Sequence, residues 1–349
     1  MLDLLKRLSL EFGPTGYEAP VREMIIKELS PYSDKFEAYI DKIGAYIVHI
    51  PNEDKPKLMI SAHMDEVGFM VTEICDNGRL RFGNVGGIDP LVMSSKRVIC
   101  ENGVKGAIIS KPIHLQSADE RKKVTKASDM YIDIGCDTRE EAEKLIQLGD
   151  LFTFISDFKE FGDGFIKCKA LDDRLGCAIM CQIIKDICEN KPSLNYDLYF
   201  AFTTREEVGY SGAFLATEQI KPDYAFIIES TAVGDIHGAP SEKLVAKLGE
   251  GGAISFADRS TIYDRDFINQ IMDMCRQKEI KYQIKQYVSG GNDAGNIQRS
   301  ANGVKVAVMS APSRYIHSAS NVIHKNDFES IYQTLKCLIS GQPSAVSGQ

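Results

Sequence analysis

No stretch of this 349-residue chain approaches the roughly 18 consecutive apolar residues of a membrane-spanning helix. The opening Met1-Leu2-Asp3-Leu4-Leu5-Lys6-Arg7 is also too poor in apolar residues for a secretory signal. No basic block occurs. The densest run is Arg121-Lys122-Lys123, and 41 Lys+Arg against 49 Asp+Glu leave a formal net charge of −8. That balance argues against nucleic acid as a partner, because phosphate binding needs a basic surplus or patch. The nine cysteines are odd in number, scattered and without a Cys-x-x-Cys pair. They indicate neither a disulfide framework nor a thiolate zinc site, and Cys177 and Cys181, four apart in an apolar helical pattern, read as core packing. A reducing cytoplasm is the expected location. Glycine (28) and proline (12) are too few for collagen-like or low-complexity sequence, and 44% hydrophobic residues exclude disorder.

What is present has the texture of a folded enzyme with two parts. At about 150 residues per domain the length suggests two domains. Apolar stripes predict two opening helices, broken by Gly13-Pro14-Thr15-Gly16. Phe36–Ile40, Ala45–Ile50 and Lys57–Ala62 read as strands, the last running straight into His63-Met64-Asp65-Glu66. From Val67 to Glu160 the pattern changes to short alternating β segments with hairpin turns at Asp76-Asn77-Gly78 and Glu101-Asn102-Gly103. One amphipathic helix, Thr138–Leu148, interrupts them. After Phe165 apolar strands alternate with helices, the first from Asp172 to about Cys188 and the last near Asp327–Ile339. The layout predicts an α/β domain made of residues 1–66 and 161–349, interrupted by an inserted β-rich domain over 67–160.

The acids and histidines fall where the strands end. Leu58–Ser61 leads to His63 and Asp65, Leu198–Thr203 to Glu206 and Glu207, Tyr224–Ile228 to Glu229, and Val304–Met309, after a loop, to His317. Asp172 and Asp173 open a helix, where carboxylates are favoured. In open α/β sheets ligands bind beyond the carboxyl ends of the strands, so these residues form one set of N and O donors. Imidazole and carboxylate suit zinc, cobalt or manganese. Two histidines and three acids exceed what one open catalytic zinc needs, which fits two divalent ions sharing a bridging carboxylate. Taken singly, each motif also reads as an ordinary ion pair, helix cap or solvated loop. His49, His114, His237 and His324 stand in no comparable context.

Local sequences sharpen this. Ser61-Ala62-His63-Met64-Asp65-Glu66-Val67-Gly68 resembles the first metal motif of the tetrahedral (TET) and glutamyl aminopeptidase family, dinuclear metallopeptidases some of whose members are labelled endoglucanases. Gly13–Glu18, Ala170–Arg174, Glu206–Gly209, Gly290–Gly295 and Arg314–Ser318 match further motifs in the same order, so the resemblance spans essentially the whole chain.

It implies a three-layer α/β/α, mixed-sheet zinc-exopeptidase fold with an inserted β-barrel-like domain. It implies that His63 and Glu207 hold one metal, His317 and Glu229 the other, and that Asp172 bridges them. Asp65 would orient His63, and Glu206 would be the general base for water activated between the ions. Where the family often has Asp, this chain has Glu229, and Asn292 stands where Thr is common. The implied function is aminopeptidase action on peptides, by a self-associating protein that forms dimers and, in the family, tetrahedral dodecamers in which the inserted domain takes part.

Three rival readings of the same residues differ in what they require. A carboxypeptidase or amide deacylase of the same clan would carry its inserted domain later in the chain. A glycoside hydrolase needs two carboxylates flanking one bond and leaves both histidines and Asp172 without a task. A non-catalytic scaffold would not need all five ligands and the base.

Overall fold

Two helices, Leu2–Leu10 (α1) and Ala19–Leu29 (α2), precede strands Glu37–Ile40 (β1), Tyr46–Ile50 (β2) and Lys57–His63 (β3) in the computed structural model, which describes residues 1–240 and 243–340. There follow Gly68–Ile74 (β4), Leu80–Val85 (β5), Arg97–Cys100 (β6), Lys105–Ile109 (β7), Tyr131–Asp133 (β8), the single-turn helix Arg139–Ala142 (α3) and Leu151–Phe154 (β9). Next come Lys159–Phe161 (β10), Phe165–Cys168 (β11), Leu171–Asn190 (α4), Asp197–Thr203 (β12), Ser211–Ile220 (α5) and Tyr224–Ala232 (β13). The chain continues through Gly252–Ile254 (β14), Arg265–Gln277 (α6), Tyr282–Ile284 (β15), Ala294–Arg299 (α7), Lys305–Ser313 (β16), Asn321–His324 (β17) and Lys325–Ser340 (α8). Residues 341–349, placed by the sequence pattern in the α/β domain, lie outside the described residues.

Eight strands form one mixed sheet in the order β1-β2-β12-β3-β13-β16-β14-β15. Strands β12, β3, β13 and β16 are mutually parallel, so their carboxyl ends share one edge. They are buried almost throughout, which is why they read as continuous apolar runs and not as alternating ones. Helices α1, α2, α4, α6 and α8 pack as one group and α5 and α7 as another, giving the three-layer α/β/α arrangement. Gly176 permits the close approach of α4 to β3: a Cβ there would stand 2.7 Å from the Ala62 Cβ.

Strands β4-β5-β8-β7-β6-β9 close into a barrel. Its core is aromatic: Phe69 meets Phe82 and Phe154 edge-on, each pair with ring centroids 5.1 Å apart. After the barrel, β11 pairs with β10 on one side and β17 on the other in a small separate sheet.

Glu66 ties the barrel to the large sheet. Its carboxylate accepts from Thr153 of β9 at 2.9 Å and from the buried Lys169 ammonium at 2.5 Å, with Arg174 at 3.6 Å. Its backbone exchanges hydrogen bonds with Gly13 and Thr15. The segment after β3 is therefore anchored on two sides.

The helix expected over Thr138–Leu148 stops at Ala142. The Leu145 carbonyl accepts from the Asn102 side chain and the Gln147 N–H donates to Asp150. Those side chains take backbone groups that a longer helix would use, and Ile146 is buried against the barrel core. Two strands also run further than their apolar cores suggested, β13 to Ala232 and β16 to Ser313. No helix among the described residues is long and apolar enough to cross a membrane.

Candidate metal centre

The parallel register sets the site. Ser61 of β3 lies opposite Ile227 of β13. Continuing two residues along both strands brings Glu229 beside His63. Glu229 is thus an interior residue of β13 whose side chain faces the sheet edge, not the residue after a strand. Glu206 and Glu207 stand on the loop after β12, and His317 on the loop after β16.

The two adjacent aspartates divide two tasks. Asp173 accepts from the Gly176 N–H at 3.2 Å and so caps α4. Asp172, with an extended ψ of 109°, stands outside the regular helix and points into the cluster.

Both histidines are aimed by backbone. His63 directs Nδ1 at the Asp65 carbonyl, 3.1 Å away, and His317 directs Nδ1 at the Gly87 carbonyl, 2.6 Å away. With Nδ1 carrying the proton toward a carbonyl, each Nε2 is left as a lone pair. His63 Nε2 faces one Asp172 oxygen at 3.3 Å and Glu229 at 3.7 Å. His317 Nε2 faces the other Asp172 oxygen at 3.3 Å and Glu207 at 3.2 Å. Two groups of donor atoms result, His63–Asp172–Glu229 and Asp172–Glu207–His317, and a third joins His63 to Glu206 and Glu207. The resemblance paired Glu207 with His63 and Glu229 with His317; here Glu229 lies 3.7 Å from His63 and Glu207 3.2 Å from His317, while Glu207 also shares a group with His63.

The donor set fits divalent cations. Lone pairs confront carboxylate oxygens, an arrangement that repels itself unless a proton or cation lies between them. Ligand atoms on a tetrahedral zinc, bound at about 2.1 Å, stand roughly 3.4 Å apart, close to the spacings observed. The electrostatics agree. Burial alone would lower the histidines, yet Asp172 and Glu207 hold His317 up at about 11, and Asp172, Asp65 and Glu229 keep His63 well above its ordinary value. Burial, then repulsion from Asp172, pushes Glu229 up to about 8. Burial likewise raises Glu206 far above the usual carboxyl range, and its neighbours Glu229 and Glu207 add to the effect. Asp172 is held low by the two imidazoles despite its burial.

Asp65 also holds the loop after β12. Its carboxylate lies 3.5 Å from His63 Nδ1, further than its own carbonyl, and accepts instead from the N–H groups of Glu206 (3.1 Å) and Glu207 (3.2 Å) and from Thr15 Oγ1 (2.7 Å). One buried carboxylate thereby fixes the β12 loop relative to β3.

Thr15 lies in Gly13–Glu18, a motif whose residue types alone indicate no role at the centre. Gly87 had no sequence signal at all, since it acts through its carbonyl from a barrel loop. Its neighbour Gly86 has φ +83°, and a Cβ there would lie 2.8 Å from Val67 and 3.2 Å from Glu207. Lys285 and Tyr210, which line the same cavity, were also not anticipated. None of His49, His114, His237 and His324 belongs to the clusters found.

The sequence profile of the M42 glutamyl aminopeptidase family matches residues 44–333. Lysyl aminopeptidase of Pyrococcus furiosus is 28% identical, covering 97% of this chain and 96% of its own length, and the same figures hold for glutamyl aminopeptidase of Lactococcus lactis. Among solved structures, a TET aminopeptidase from a marine-sediment thaumarchaeon aligns with a TM-score of 0.93 at 32% identity, covering 97% of this chain and 95% of that one. The Pyrococcus horikoshii TET1 peptidase, which can assemble into a tetrahedron or a large octahedral shell, gives 0.84 at 34%, covering 97% and 98%. A Thermotoga maritima endoglucanase structure gives 0.78 at 33%, covering 96% of each.

Proposed function

The chain belongs to the M42 glutamyl aminopeptidase family, and on that premise we propose that it removes N-terminal residues from peptides, using two divalent cations per subunit and Glu206 as general base. The observation that carries this reading is Asp172, whose two oxygens each face one histidine Nε2 at 3.3 Å. His63, Asp172 and Glu229 would hold one ion, and Asp172, Glu207 and His317 the other. Zinc, cobalt and manganese all suit that donor set. When bound, such ions supply Lewis acidity that makes water more acidic and the scissile carbonyl more electrophilic.

The remaining work falls to side chains. Glu206 is buried, raised in pKa and held by the hydrogen bond from its backbone N–H to Asp65. It would take a proton from the attacking water and return it to the leaving amine, the two transfers asked of one general base and acid. Glu229, beside the ion it would hold, would take the free α-amino group that only a chain terminus offers, which supports exopeptidase over endopeptidase action.

A panel of aminoacyl-p-nitroanilides with acidic, basic and aliphatic residues, assayed after chelation and after adding back each metal, tests the reading. Metal-restored cleavage supports it. No cleavage, with hydrolysis of a β-glucan instead, overturns it.

Protons and cations compete for the same Nε2 atoms. Because the folded-state pKa of His317 is raised to about 11, the cation-free protein holds that proton across the neutral range. Loading must expel it, so apparent metal affinity should rise with pH between about 5 and 8. Calorimetry in buffers of different ionisation enthalpy should show net proton release at pH 7; an affinity independent of pH would contradict the assignment of His317.

We also read residues 67–160 as an inserted domain used in self-association, within a dimer and a larger shell. The barrel region exposes Leu91, Ile113, Leu115 and Val124, which supports this reading. Light scattering should give a mass of at least two subunits. The nine free cysteines fit a reducing cytoplasm.

A further inference from the structure

Of the run Arg314–Ser318, only His317 belongs to the groups of donors. The loop that carries it is strained: Tyr315 has φ +56° and His317 φ +57°, the left-handed region that residues with a side chain rarely adopt. From that conformation His317 must hold Nε2 3.3 Å from Asp172 and 3.2 Å from Glu207. Its own backbone preference works against this, so the surroundings must supply the restraint.

The restraint begins at Arg314, three residues earlier. Its Nε donates to Asp235 Oδ1 at 2.7 Å and its Nη2 to Oδ2 at 3.0 Å, a bidentate fork. The Phe165 ring backs the guanidinium, with its centroid 5.4 Å away. Asp235 also accepts from the Leu248 N–H at 3.1 Å, so the carboxylate is itself held in place. Exposed ion pairs are commonly worth little, but Arg314 is 27% and Asp235 12% exposed, and their geometry is that of the stronger, two-point kind.

The fork closes a bridge between two strand ends. Just ahead of it the Val233 N–H donates to the Ser313 carbonyl at 3.1 Å, joining the segment after β13 to the end of β16. Arg314 then exchanges backbone hydrogen bonds with Val322 of β17 at 2.9 and 3.0 Å. On the far side of the loop the Ser156 hydroxyl donates to the Ala319 carbonyl at 2.6 Å. His317 thus sits on a short arch whose near foot is the fork. The other half of the centre has no such dependence: His63 ends β3, Asp172 opens α4 and Glu229 is interior to β13.

We propose that Asp235 and Arg314 are positioning residues for the metal centre, and that their fork, by holding the His317 loop in its left-handed conformation, sets the affinity of the Asp172–Glu207–His317 half without affecting the other. The inference rests on the two-cation reading and goes beyond it, to residues that touch neither ion.

The test titrates cation-free wild type, R314K and D235N with cobalt(II), followed by calorimetry and by the visible absorption of the bound ion. R314K keeps the charge and loses the fork; D235N keeps the shape and loses the charge. Each should weaken one of the two ions by about 10- to 100-fold, the usual effect of removing a partner that orients a metal ligand, and leave the other at wild-type affinity. Two further backgrounds identify the ion. R314K should change little in Glu207→Ala, which has already lost that half, and should weaken the ion that Glu229→Ala retains. In excess metal, kcat of R314K on the anilide best cleaved by the wild type should return to near the wild-type value with KM unchanged. Equal weakening of both ions, with a lower Tm for the cation-free variants, would make the fork a general structural ion pair and overturn the proposal. Wild-type affinity for both ions in R314K and D235N would overturn it as well, while leaving the two-cation reading intact. A wild type that binds no more than one ion per subunit would overturn both.

Discussion

Glu206→Gln should retain both cations and lose nearly all turnover. Glutamine keeps the shape of the side chain and the 3.1 Å backbone hydrogen bond from residue 206 to Asp65, so the loop after β12 has no reason to move. Neither group of donors built around Asp172 uses Glu206. What the substitution removes is proton acceptance, and general-base contributions run at about 10²–10⁴-fold. Burial strengthens the expectation: with Glu206 only 8% exposed, bulk water has poor access to substitute for the missing base. The check pairs elemental analysis with kcat on one aminoacyl anilide. Two ions per subunit with kcat down at least 100-fold is the expected pair of results. Turnover within tenfold of wild type would remove Glu206 from the base assignment. A fall in metal content would show it to be a ligand, as its place in the group with His63 and Glu207 also permits.

The parts of this molecule governed by apolar patterning were legible in the sequence. The parallel strands, the hairpins of the barrel and the long helices at Leu171–Asn190 and Lys325–Ser340 follow runs whose burial and periodicity agree with local preference. The mixed three-layer fold with a barrel followed from the change of texture after Val67 together with the family resemblance. Side-chain capture was illegible. The run Thr138–Leu148 has good helix formers, yet Asn102 and Asp150 take its backbone groups, and neither residue lies within the run.

At the site, residue types at strand ends were readable because the chain delivers them to one edge in sequence order. Their pairing was not, since it depends on which strands are neighbours. Only the observed order β3-β13-β16 sets Glu229 beside His63. Contributions made by backbone atoms, such as the Gly87 carbonyl that aims His317, leave no trace in residue identity. Lys285 escaped for a related reason: it is a solitary lysine after a three-residue strand, and only the fold brings it to the cavity.

Asp172→Ala should empty the centre of both cations, where loss of any other ligand costs chiefly one. Asp172 alone belongs to both groups of donors built on a histidine and an outer carboxylate. Its oxygens stand 3.3 Å from His63 Nε2 and 3.3 Å from His317 Nε2, so removing the side chain leaves each half with one imidazole and one glutamate. Those glutamates resist ionisation because of burial, which raises both Glu207 and Glu229. Two ligands of that kind make a weak site. Even substitutions outside the ligand shell commonly cost 10- to 100-fold in metal affinity, so loss of a ligand shared by two ions should exceed about 100-fold for each.

The single-side variants supply the contrast. Glu229→Ala should weaken the ion beside His63 and leave the Asp172–Glu207–His317 half intact, while Glu207→Ala should do the reverse. Metal content after dialysis should therefore read near zero for Asp172→Ala and near one for each glutamate variant. Two ions retained by Asp172→Ala would end the bridging assignment. An unchanged stoichiometry in Glu229→Ala would place the second carboxylate elsewhere. Asp172→Asn refines the point: it keeps the volume but puts an amide NH₂ where one oxygen faced an imidazole, so it can serve one half of the centre and must repel a cation from the other.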